Sequence, residues 1–68
     1  MTDNAEFMAR IMRADLTAGK SLAGACLSQI LQAFAMYAAG DQNEQQTIDH
    51  VLDCVEAYTA VAAEVSHK

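Results

Sequence analysis

Three places in this 68-residue chain hold residue types that could do chemistry. The first is Leu16-Thr17-Ala18-Gly19-Lys20-Ser21, whose Gly-Lys-Ser has the ending of a phosphate-binding loop. That loop reads G-x-x-x-x-G-K-[ST] between a buried strand and a helix, so that backbone N–H groups and the lysine cradle phosphate. Here Ala14 stands where the first glycine belongs. The residues before it repeat with helical period, and no second strand brings an acidic magnesium ligand. The plainer reading is punctuation: Gly19 ends a first helix and Ser21 caps the next through its hydroxyl.

The second place is His50 and Cys54, four apart beside Asp49 and Asp53. Residues at i and i+4 share a helix face and could grip one metal, but zinc takes three or four ligands. His67 sits in a frayed end and completes no set, so no metal is expected. The third is the cysteine pair. A chain reversing near Asp41 sets position 26 opposite 56 or 57, which offsets Cys26 from Cys54 by nearly a turn. Packed, reduced thiols follow, without a bridge. No Ser/His/Asp arrangement presents itself, and the chain is read as non-enzymatic and without a cofactor.

The elements that carry these residues are helical throughout. The chain has no proline and is rich in alanine, leucine, methionine and glutamine. In the last segment Ile48, Val51, Val55, Tyr58, Ala62 and Val65 recur three and four apart, an apolar stripe opposite Asp49, Asp53, Glu56 and Glu64. The acids read as a solvated face, or as an edge that meets a basic partner. Gly40 ends the preceding helix, Asp41 is placed as the next N-cap, and Glu44 completes a capping-box-like pair. In the middle segment Ala23, Leu27, Ile30, Phe34 and Tyr37 form the core stripe, flanked by Leu22, Cys26, Leu31, Ala33 and Ala38. That arc is wider than one hairpin partner needs.

The expected fold is therefore all-α, one domain over 1–68. An N-terminal segment 1–20, with a short helix started by Asp3 and Glu6, precedes an antiparallel hairpin over 21–66. Two hairpins are expected to pair as a homodimer around a four-helix-bundle-like core. Composition points the same way: 53% of residues are apolar, a surplus for a chain this short. Phe7, Met8, Ile11 and Met12 look too many for one hairpin to bury. With Arg10, Arg13, Met36 and Tyr37 they are the candidate partner-binding residues, Tyr37 also being eligible for the core.

Charge narrows the partners. Nine acids against four bases give a net charge of −5, which disfavours nucleic acid and anionic lipid. The apolar run Ala33–Ala39 is far shorter than a membrane span, and the N-terminus lacks the basic start of a signal peptide. A cytoplasmic location is expected.

Two resemblances add to this reading. The stretch Phe7-Met8-Ala9-Arg10-Ile11-Met12-Arg13-Ala14-Asp15-Leu16, the acidic helical hairpin and the two cysteines resemble the Rop family of plasmid copy-number RNA-binding proteins. That family implies an antiparallel dimer of hairpins reading paired RNA loops with its first helices. The turn near residue 41, and Phe7, Ile11 and Asp15 in place of polar contacts, depart from its pattern. In size, acidity and helical pattern the whole chain resembles small phage-encoded inhibitors of host regulators, including quorum-sensing anti-activators of LuxR-type transcription factors. This resemblance implies a stoichiometric inhibitor of a bacterial transcriptional regulator or other host protein. A structural subunit of a larger assembly is the remaining alternative.

Overall fold

A computed structural model describes residues 1–67, so Lys68, the last of the four bases, lies outside it. The chain forms three helices, α1 (Asp3–Thr17), α2 (Leu22–Ala38) and α3 (Glu44–Ser66). No strand occurs among the described residues. The all-α class, the hairpin and both breaks agree with the sequence reading.

Both connections use one device. Gly19 (φ 86°) and Gly40 (φ 82°) take the left-handed conformation that costs glycine little. Lys20 N–H donates to Asp15 C=O at 2.9 Å, and Asp41 N–H to Met36 C=O at 2.9 Å. With the inner bonds from Gly19 to Leu16 and from Gly40 to Tyr37, both at 3.0 Å, each helix closes in a Schellman motif. Ser21 then caps α2, its hydroxyl accepting from Gly24 N–H at 3.0 Å. Leu16–Ser21 is thus a helix stop followed by a helix start.

The other caps differ from those expected. Thr2 caps α1 by accepting from Ala5 N–H. Asn43 caps α3, with Gln46 reaching back to the Asn43 N–H in a full capping box. Asp41 and Glu44 lie two residues too early, because Gly40 and Asp41 are still closing α2.

α1 is longer than the short turn or two expected, with 15 residues, about four turns. It runs parallel to α3, as paired positions advance together: Asn4 bonds Asp53, and Arg13 bonds Glu64. α2 runs antiparallel to α3, with Gln42 Nε2 donating back to Ala33 C=O at 2.9 Å to brace the turn. α3 packs on both neighbours, whereas α1 and α2 meet each other far less.

The core overturns the expected assignment of faces. Ala5, Met8, Ala9 and Met12 from α1, Ala25, Cys26 and Ala33 from α2, and Thr47, Cys54, Ala57 and Val61 from α3 are buried. Among the described residues no leucine, isoleucine or phenylalanine is. The expected core residues Leu27, Phe34, Tyr37, Ile48, Val55 and Val65 are exposed instead, and Ile30, Val51, Tyr58 and Ala62 are half-buried. Small side chains and two methionines fill the seam, Leu16, Leu22, Ile30 and Tyr58 pack half-buried against it, and the other large ones lie outside.

Candidate protein interface

Six of the large exposed apolar side chains gather on one side of the α2/α3 hairpin. α2 presents Leu27, Leu31 and Phe34 at four-three spacing, and α3 presents Ile48, Leu52 and Val55 at four-three spacing. At 100° per residue each set occupies one arc of its helix, beside the arc that is buried. Phe34 joins the two. It lines a groove of about 290 Å³ with Tyr37, Glu44, Thr47 and Ile48, and an adjoining one of about 170 Å³ with Thr47, Ile48, Val51 and Leu52.

Electrostatics separate this side from the rest. α2 carries no charged residue over its 17 positions. Glu44 is the sole acid lining either groove, at one end, and its carboxylate accepts from the Tyr37 hydroxyl at 3.2 Å. That bond to a carboxylate, with its negative charge, pushes the Tyr37 pKa up. The groove is a desolvation-ready apolar surface with one polar end.

Of the four acids in the α3 stripe, Asp49 stays exposed and Glu56 lies 3.7 Å from the N-terminal amine, while the other two tie α3 to α1. Asp53 accepts from Thr2 Oγ1 at 3.0 Å and Asn4 Nδ2 at 2.9 Å. Glu64 accepts both arms of Arg13, at 2.9 and 2.7 Å. These contacts clasp α1 along α3. Hydrogen bonding to Glu64, aided by the opposite charge, raises the Arg13 pKa. Lys20 lies 3.8 Å from Asp15.

The eight candidate partner residues are accordingly split. Met8 and Met12 are 3% and 0% exposed, enclosed by α3 and α2 within the same chain, so they contact no partner. The physical reason is α1's full length, which brings both methionines onto Cys54, Ala57 and Val61. Arg13 is tied to Glu64, and Ile11 and Met36 are half-buried. Phe7, Arg10 and Tyr37 remain exposed. Phe7 and Ile11 edge a groove of about 240 Å³ whose lining includes Gln29, Gln32 and His50. Of the eight, only Tyr37 reaches the α2/α3 face. Leu27, Leu31, Ile48, Leu52 and Val55 were hidden from sequence reasoning by their own periodicity, which had assigned most of them to the core.

The cysteines are free and buried. Cys26 Sγ lies 3.9 Å from the Cys54 carbonyl and Cys54 Sγ 3.5 Å from Met8 Sδ, in line with packed thiols. Burial pushes both thiols up, Cys54 to about 11, with Cys26 and Asp53 contributing there. Such thiols remain protonated at neutral pH and make poor nucleophiles. His50 is half-buried. Among the described residues no group of three or more His, Cys, Asp or Glu side chains comes together as a metal site, and no helix is long and apolar enough to cross a membrane. No family model, curated protein or solved structure matches the chain.

Proposed function

We propose that this protein is a non-enzymatic protein–protein interaction module, whose α2/α3 face is completed by helices of another chain into a four-helix core. One observation carries the reading: among the described residues no leucine, isoleucine or phenylalanine is fully buried, while six such or similar side chains stand half-exposed on a surface whose grooves are lined by a single acid, Glu44. A 68-residue chain has little surplus stability. Leaving its largest hydrophobic groups in water makes sense when another chain covers them.

In its biological form the module modulates a bacterial protein, the role implied by the likeness to phage-encoded inhibitors of regulators. Phe7 and Arg10, exposed on α1 and outside the α2/α3 face, remain available for such a target. The Rop-like alternative requires a shared basic patch. Arg13 is committed to Glu64 and Lys20 lies beside Asp15, which leaves Arg10 as the described base without an ion-pair partner. One free arginine per chain is thin support for RNA binding.

The test is capture of tagged protein from bacterial lysate after nuclease treatment, with Phe7→Glu and Leu52→Glu in parallel. A protein recovered in near-stoichiometric amount by the parent chain and lost with either variant is the expected result. RNA recovered before nuclease treatment, with no protein after it, overturns the reading in favour of RNA binding.

A further inference from the structure

We infer that the occupant of the α2/α3 face is a second copy of this chain, set hairpin against hairpin about a two-fold axis. The inference rests on the interaction reading above and names its partner. Three observations favour a copy over a foreign protein.

The first is area. Leu27, Leu31, Phe34, Ile48, Leu52 and Val55 are each 48–60% exposed and present on the order of 600 Å² of largely apolar surface. A stable interface takes roughly 800 Å² from each partner. Half-buried Ile30 and Val51 between them, with Tyr37 at the end, bring the face to that size.

The second is charge. A foreign partner is selected largely by complementary charge, of which the grooves of this face hold only Glu44. Two acidic chains, by contrast, can approach through this surface because, although Glu44 and Asp49 stay exposed on α3, its acids Asp53 and Glu64 are bonded to α1 and Glu56 lies 3.7 Å from the N-terminal amine. An isologous pairing leaves those acids outside the contact and lets each apolar stripe meet an identical one.

The third is availability. An interior of alanine, cysteine, two methionines, one valine and one threonine, with Leu16, Leu22, Ile30 and Tyr58 packed half-buried against it, gives a chain this short little to fold on. The missing apolar burial must be present whenever the chain is folded. A second copy always is, whereas a target protein is not. Antiparallel α2 and α3 from each chain then form a four-helix layer of the kind that packs at about 20°.

The closing experiment is sedimentation equilibrium on the full chain from about 1 to about 100 µM, with helix content and thermal unfolding followed over the same range. The expected mass is twice the 7.3 kDa chain, with a Tm that rises with concentration. Leu52→Glu should weaken pairing at least about hundredfold, whereas Phe7→Glu, on α1, should leave it unchanged. If Leu52→Glu loses its helix content, Leu52→Ala supplies the same readout with a milder shift.

A chain that stays monomeric and helical, with a Tm independent of concentration, overturns the second-copy inference. The interaction reading survives that result if the lysate target is still captured and Leu52→Glu abolishes capture. A dimer insensitive to both Leu52 variants and broken by Phe7→Glu overturns the inference and removes the α2/α3 face from the interaction reading as well.

Discussion

The two sides of α3 solve opposite problems. Toward α1 it offers Cys54, Ala57 and Val61, rimmed by carboxylates that hold the neighbouring helix at Thr2, Asn4 and Arg13. Away from α1 it offers Ile48, Leu52 and Val55 with no charge among them. The first seam closes on small side chains and polar ties within one chain. The second is made of bulky side chains that nothing in the chain covers. A wide apolar arc on a helix is thus two surfaces, and the size of the side chains, more than their hydrophobicity, tells which closes first. Alanine and cysteine let helix axes come close. Leucine, isoleucine and phenylalanine hold them apart, and they suit a partner that arrives later.

The sharpest way to break the contrast is in the closed seam. Met12→Ala, at a site 0% exposed, should cost about 2–5 kcal/mol by chemical denaturation, and equally at every protein concentration. In the open face Leu52→Ala, at 60% exposure, should cost about 1–2 kcal/mol per chain where the copies are paired. Dilution below the dimer's dissociation range should shrink that cost to within about 0.5 kcal/mol, the ordinary effect of a surface substitution.

Titration gives a subtler probe of the closed seam. Cys54 is held up to about 11 from an ordinary value of 9, so the folded chain keeps a proton that the unfolded chain releases. Stability from this group is whole below pH 9 and declines as pH rises toward 11. The Tm should fall across that window, and Cys54→Ala should flatten the fall. Weakest of all should be the Arg13–Glu64 tie. Both side chains are over 40% exposed, and Arg13→Gln should lower the Tm only slightly, with the difference diminishing in high salt.

Much of this was legible from local signals. Gly19, Ser21 and Gly40 mark the breaks because positive φ and hydroxyl capping are properties of single residues. The long stripe of α3 shows a helix at once. Facing is harder, because both seams of α3 follow the same three-four spacing and differ by about a third of a turn. Ile48 and Val55 belong to one of them, Cys54 and Val61 to the other. The length of α1 was also hard to see. Its anchors on Asp53 and Glu64 are 49 to 51 positions away, a separation at which charge pattern alone carries no pairing information. Met8 and Met12 consequently looked like surplus when they are the largest contribution α1 makes to the interior.

That α1 and α2 scarcely meet has a consequence for the order of assembly. Synthesis supplies α1, then α2, then α3, and the first two have little to hold them together until the third arrives. The growing chain therefore has no half-built intermediate with a core of its own. Its first 43 residues should behave as a weakly helical peptide, and docking should wait until α3 is present to receive both neighbours. Once α3 is there, the short connection at Gly40 makes the docking of α2 local, whereas α1 must find contacts 49 to 51 positions away. Commitment to the fold is then a late event in the life of each chain, decided by the helix that also carries half of the surface it shows to others.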